Sequence, residues 1–338
     1  MLEGAHLVGS VPLASAEAVF RSVSSAVGDR LRTLPDGETG PRKDWIAWQY
    51  AVLASTPGLE PIPAGDRAYL RPQLVRVRRG DARGLRFGGL GYADAALASF
   101  AVFERLSGEG AIPASLRFQV SLPTPLAPIT VFVRPEDRTV VEPAYEAQLL
   151  SELRRITEGI PGDRLAIQWD VAVEVGLLEG VFPAHFHDVA DGIATRLARL
   201  GAAVPAGVEL GYHLCYGDFG HRHFANPSDA GTLVRLAGSL LPRLSRPLAW
   251  LHVPVPVGWA APAAYAPLSE LRLPGEARLY LGLVHLEDGV DGARRRIGLA
   301  RQAVTRFGVA TECGWGRRPP ATVPALLELH AALSGASA

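Results

Sequence analysis

VELGYHLCY, residues 208–216, reads as a single β-strand that carries a histidine and a cysteine two positions apart, His213 and Cys215. Residues i and i+2 of a strand project from the same face, so an imidazole and a thiol there point to one side of the sheet. Taken alone, the pair is weak evidence for half of a metal site and reads more readily as two buried residues sharing a face. The neighbouring sequence decides which sheet this strand belongs to. Seven further short, apolar, β-rich runs recur along the chain: HLVGSV (6–11), RLRTLPDGE (30–38), LRFQVSLP (116–123), RLAIQWDV (164–171), LAWLHVPV (248–255), RLYLGLVH (278–285) and FGVATECG (307–314). Between them lie helical patterns with apolar residues three and four apart, among them ASAEAVFRSVSSAVG (14–28), YADAALASFAVFERL (92–106), AYEAQLLSELRRITEG (144–159), FHDVADGIATRLARLG (186–201) and DGARRRIGLARQAVTRFG (291–308). Strand alternating with helix eight times predicts an α/β fold, a closed (β/α)8 TIM barrel spanning 1–338 as one unit. An open doubly wound sheet is the alternative, but no GxGxxG follows the first strand. Residues 51–92 break the alternation and predict a loop and hairpin inserted after strand two. PLSELRLPGEARL (267–279) predicts that no proper helix precedes strand seven, because its Pro and Gly would break one.

Composition narrows the function classes. Hydrophobic residues make up 48% of the 338, enough for a large folded core. Thirty-four basic residues balance thirty-four acidic ones, so there is no electrostatic footprint for nucleic acid or an anionic membrane. No signal-peptide pattern opens the chain and no run of 18 apolar residues occurs in it, which predicts a soluble, cytoplasmic protein. Two cysteines in such a chain are expected as thiols or ligands rather than as a structural disulfide.

In a barrel the C-terminal ends of the strands build the active site. Those ends bring Ser10 from strand one, Asp36 and Glu38 from strand two, Asp170 from strand four, His213 and Cys215 from strand five, His252 from strand six, His285 from strand seven and Cys313 from strand eight. Strands end where polarity begins, and that accounts for Asp36, Glu287 and Asp288. It accounts poorly for cysteine, which otherwise behaves as a small buried hydrophobe. Strand tops five and eight lie within reach of one ion across a barrel. Two thiolates and an imidazole suit zinc, and three protein ligands with an exchangeable fourth position describe a catalytic site. His252 is expected as the fourth ligand, with His221 and His223 competing for that place.

The ordered set of motifs resembles the cobalamin-independent methionine synthase family, specifically its C-terminal catalytic barrel within the uroporphyrinogen decarboxylase-like superfamily. LVGSVP (7–12), DGETGPRKDW (36–45), AIQWDVAVEVG (166–176), YHLCY (212–216), LGLVH (281–285) and ATECGWGRR (310–318) fall in the family's order over nearly the whole chain. The His-x-Cys strand together with the final Cys-Gly is the specific part. The resemblance implies zinc held by His213, Cys215 and Cys313, activating a small-molecule thiol acceptor toward a methyl or alkyl donor. It implies His285 as the proton carrier for the leaving amine, and Ser10, Glu38 and Asp170 as the cradle of an amino-acid acceptor, with Asp170 also in the catalytic set.

The departures from the family pattern bear on the donor. The family's strand-six Glu ligand is replaced by His252, and the strand-four Asp170 is followed by Val171-Ala172 instead of Glu-Pro. LPTPLAPITVFVRPED, after strand three, lacks the family's Trp. The N-terminal barrel that helps to hold folate is expected to be absent, so a donor other than folate is expected. The alternatives are a superfamily lyase or decarboxylase, with Arg42, Arg317 and Arg318 binding substrate carboxylates, and a zinc-binding barrel without catalysis.

Overall fold

The computed structural model describes residues 2–63, 73–81, 84–217 and 223–335. Ten strands occur among them: β1 (Leu2–Ala5), β2 (Thr33–Pro35), β3 (Leu59–Pro61), β4 (Val75–Val77), β5 (Arg117–Pro123), β6 (Leu165–Val171), β7 (Glu209–Leu214), β8 (Trp250–Pro254), β9 (Arg278–Gly282) and β10 (Phe307–Val309). Eight form one parallel sheet in the order β1-β10-β9-β8-β7-β6-β5-β2. The sheet curls into the expected (β/α)8 barrel. Its closing seam, between β1 and β2, is a single parallel bridge, Ser10 with Gly37, supported by the Val11 amide donating to the Gly37 carbonyl at 2.8 Å. β3 and β4 pair antiparallel as the expected hairpin. It is moored where the Asp137 carboxylate accepts from the Val77 amide at 2.8 Å.

The helices have local causes. In α1 (Ala16–Val27), Ser15 caps the first turn by accepting from the Ala18 amide, and Val19, Phe20, Val23 and Val27 form the buried stripe. Ahead of α3 (Tyr92–Gly108) the donors are served from a distance. The fully buried Glu152, on α5 (Arg138–Gly159), accepts from the Leu90 and Ala93 amides at 3.0 and 2.7 Å. α5 runs through Pro143, where the sequence pattern predicts a later start. The helix expected over 291–308 ends early: after Gly289–Ala300 the chain passes into turns in which the Gln302 and Ala303 amides reach back three residues, to Leu299 and Ala300. Before β9 there is only a four-residue helix (Pro262–Tyr265) and a 3-10 turn, as the Pro and Gly there predict.

Strand one departs from expectation. The pairing with β10 covers Leu2–Ala5, ahead of the predicted 6–11, and contains an irregularity between Leu2 and Ala5. Beyond it the chain runs up the barrel with side chains as partners. The Val8 carbonyl accepts from Gln119 Nε2 (3.0 Å), Ser121 Oγ (3.0 Å) and Gln168 Nε2 (2.6 Å), and the Leu7 carbonyl from Gln119 Nε2 (3.1 Å). Buried carbonyls must be satisfied, and polar residues of β5 and β6 do it from inside the barrel.

Alternation along the strands separates two regions. Ile167, Trp169, Leu210, Tyr212 and Leu214 join the main core between sheet and helices, and the Tyr212 hydroxyl donates to the Leu197 carbonyl on α7 (Val189–Ala202). The opposite face holds Gln168, Asp170 and His213, with a small separate cluster of Ala166, Trp250 and Tyr280. Gly211 permits that cluster, since a Cβ there would lie 1.9 Å from the Trp250 ring.

Candidate metal centre

Tyr212 is turned outward, so His213 and Cys215 face inward from β7 and the residue after its end, and both are buried. Cys313 follows β10. Its approach depends on Gly282, where a Cβ would stand 2.7–3.0 Å from the backbone of Thr311 and Glu312. The segment is then fixed by Thr311 Oγ1 donating to the Cys313 carbonyl (2.7 Å) while accepting from Trp315 Nε1 (2.8 Å). The outcome is that one ligand atom from each of His213, Cys215 and Cys313 lies within 4.8 Å of the others. The two sulfurs are 3.9 Å apart and both cysteines are free. The hydrogen bond between the thiols, together with the charge of His213 and the Gly217 amide donating to Cys215 Sγ at 3.3 Å, holds the Cys215 thiol well below its ordinary range, against the opposing effect of burial.

These three residues can hold a metal ion, and the donor set and spacing fit one. Two sulfurs at about 2.3 Å from a tetrahedral ion stand about 3.8 Å apart, against the 3.9 Å observed. His252 stands beside the cluster rather than within it. It is in register with His213 on β8, its Nδ1 lies 2.7 Å from His213 Nδ1, and its Nε2 lies 3.0 Å from the Thr311 carbonyl. His221 lies outside the described residues. His223 Nε2 instead approaches Glu312 at 3.3 Å.

Glu312 also faces His285, at 3.6 Å from Nδ1, while His285 Nε2 donates to the Val255 carbonyl at 2.8 Å. Burial lowers the His285 pKa, with Glu312 opposing. Asp170 is level with His213 on the adjacent strand and accepts from Gln168 Nε2 at 2.9 Å. Burial raises it to about 6. Glu38 is half-buried with φ +48°, and burial, then the charge of Asp170, raises it well above the carboxylate range. The two carboxyls therefore feel each other. Ser10 is a brace: its hydroxyl accepts from the Gly316 amide (3.1 Å) and its carbonyl from the Trp315 amide (2.7 Å), which ties strand one to the segment bearing Cys313.

Sequence reasoning missed three participants. Trp45 hydrogen-bonds Asp170, Gln168 links Asp170 to Val8, and Glu312 joins His285 to His223. A tryptophan in the loop after Glu38 was the available signal for the first; the other two depend on which strands meet. The arginines expected to bind substrate carboxylates have partners: Arg42 donates to Asp36 at 2.7 Å and Arg318 to Glu287 at 3.1 Å.

A cavity of about 740 Å³ opens at the opposite end, by the strand starts, lined by His6, Arg32, Trp250, Arg278 and Tyr280 among others. It contains none of the cluster residues, and in barrels the strand-start end serves stability rather than chemistry. Among the described residues no helix is long and apolar enough to cross a membrane.

No protein-family model matches the chain, and no curated protein matches it. Among solved structures it is similar to a candidate vitamin-B12-independent methionine synthase from Listeria monocytogenes. The TM-score is 0.58 at 13% identity, over 98% of this chain and 96% of that one. At that identity the likeness is one of fold.

Proposed function

We propose that this chain is a zinc-dependent transferase that moves a methyl or other alkyl group onto the sulfur of an amino thiol. The observation that carries the reading is the meeting of His213, Cys215 and Cys313 in one cluster beside a carboxyl pair, Asp170 and Glu38. The methionine synthase-like fold of the Listeria protein supports it. His213, Cys215 and Cys313 would hold the ion and leave an exchangeable position, as catalytic zinc sites do. Zinc bound there would supply the Lewis acidity that ionises a coordinated thiol near neutral pH.

The remaining roles belong to the chain. Two carboxyls raised by burial, Glu38 further by the charge of Asp170, share a proton when no cation is present. An acceptor's ammonium group between them lets both ionise, which selects for an amine. In the reaction, the acceptor sulfur forms a bond to the alkyl carbon as the bond from that carbon to the donor's amine nitrogen breaks. The thiol proton ends on that nitrogen. His285, pinned at Nε2 by Val255 and facing Glu312 through Nδ1, is assigned to pass it. A lyase acting on carboxylated substrates is less well supported, because Arg42 and Arg318 are already engaged with Asp36 and Glu287.

The test is titration of cobalt-substituted protein with thiols, followed in the visible spectrum. Amino thiols should perturb the cobalt bands at lower concentration than thiols of equal length without the amine. Equal affinities would remove the amino-acid acceptor, and bands indifferent to every thiol would favour a non-catalytic metal barrel.

A further inference from the structure

The cavity of about 740 Å³ at the strand-start end has a floor that the sequence builds. Gly211 on β7 and Gly308 on β10 lack the Cβ that would meet the Trp250 ring at 1.9 Å and the Tyr280 ring at 2.5 Å. Both rings therefore lie buried inside the barrel. The His6 ring stacks on Tyr280 at 4.9 Å and contacts Trp250 at 5.4 Å. The loops ahead of β8 and β9 form two walls, with Leu248 on one and Pro274 on the other. A volume of this size holds a small organic molecule. The floor brings no charge, since burial lowers the His6 pKa to about 3.

The charge of the lining comes from arginine. Arg32, Arg246, Arg278 and Arg306 line the cavity together with two acids, Glu209 and Glu276. Arg306 is matched by Glu3 at 2.6 Å and by the charge of Glu276. That leaves three lining arginines and one lining carboxylate, and Glu209 is divided. Its Oε1 is approached by Arg32 at 3.4 Å and by Arg117 at 3.3 Å. Arg246 donates to the carbonyls of Val204, Pro205 and Val208, which accept its hydrogen bonds without neutralising it. Arg278 is hydrogen-bonded to the Tyr280 side chain. A cleft lined by an excess of one sign raises the local concentration of the opposite one.

We propose that this cavity is a second binding site, separate from the metal centre, for a small organic dianion: a molecule bearing one phosphate or two carboxylates. Guanidinium forks match either group in two parallel hydrogen bonds, and Leu248 and the ring floor suit the carbon part. The strand-start end of a barrel does not carry the chemistry, so the site binds without turnover. It is independent of the metal reading, because no residue of the His213 cluster lines the cavity.

The experiment is calorimetric titration near neutral pH at constant ionic strength, with inorganic phosphate, succinate and acetate as probes. Phosphate or succinate should bind at least about 10-fold more tightly than acetate, and the tighter of the two identifies the group. The double variant Arg32→Gln, Arg278→Gln should weaken that binding about 10- to 100-fold, while stripping metal with a chelator should leave it unchanged. Failure of both dianions to bind, acetate binding as tightly as either, unchanged affinity in the folded double variant, or loss of binding on metal removal would each overturn the proposal. If the double variant does not fold, anomalous scattering from crystals of the unmodified protein grown with selenate decides. Selenate in the cavity supports the site, and selenate only elsewhere, or none, overturns it.

Discussion

Cys215 Sγ lies 3.9 Å from Cys313 Sγ although 98 positions separate them in the chain. A disulfide needs about 2.05 Å, so the pair is unbonded, and the spacing is that of two sulfurs sharing one tetrahedral ion. We expect about one zinc per chain in protein purified without added metal. Cys215→Ser and Cys313→Ser should each lower that content several-fold while far-UV dichroism stays unchanged. Elemental analysis of the three proteins checks this. Full zinc content in both variants would place the ion elsewhere.

Burial pushes the Asp170 carboxyl from its ordinary 3.8 up to about 6 in the folded protein. Its folded-state pKa is raised, so the native state holds a proton that the unfolded chain has already released. Stability therefore falls as pH rises from about 4 to about 6, by about 3 kcal/mol for a shift of this size. Asp170→Asn should flatten that slope and leave the protein more stable than the parent at pH 7. The same substitution should erase the preference for amino thiols. Urea unfolding at pH 4.5 and 7 measures the first effect; identical pH slopes for parent and variant would contradict it.

The opposite sign is expected at Glu142. Burial acts to raise this carboxyl, but hydrogen bonds from His185 (2.6 Å) and Arg196 (2.5 and 3.1 Å) outweigh it and hold it at about 2. A lowered acid contributes stability above its unfolded pKa, lost as pH falls through its folded one. Glu142→Gln should cost about 3 kcal/mol near neutral pH. The deficit should shrink as pH falls below about 4.5 toward 2. A deficit independent of pH would mean that packing, not charge, is lost.

Gly211 is two residues before His213 and leaves room for the Trp250 ring, which a Cβ would meet at 1.9 Å. Gly211→Ala should destabilise the protein by about 1–3 kcal/mol through overpacking and shift the tryptophan emission. An unchanged melting temperature would mean that the indole moves aside freely.

The barrel was legible because each strand after the first is an apolar run bounded by polarity, and the helices keep their stripes. The first strand was misplaced for a physical reason. His6-Leu-Val-Gly-Ser-Val looks more like a strand than Leu2-Glu-Gly-Ala, yet its carbonyls are satisfied by Gln119, Ser121 and Gln168, side chains scattered over two other strands. No local pattern encodes such partners. The meeting of His213, Cys215 and Cys313 could be read from two-residue periodicity and the rule that barrel chemistry sits at strand ends. That His252 would pair with His213 follows from the register of β7 on β8, which sequence alone does not set. Trp45 and Glu312 reach the site from segments beyond strand ends, where periodicity carries no information.

The most direct test of the central claim is zinc K-edge X-ray absorption on purified protein, before and after addition of an amino thiol of homocysteine length. The expected first shell has two sulfurs at about 2.3 Å and one imidazole nitrogen at about 2.0–2.1 Å, with a third sulfur after the thiol is added. A shell without sulfur, or one that the thiol leaves unaltered, would contradict the account.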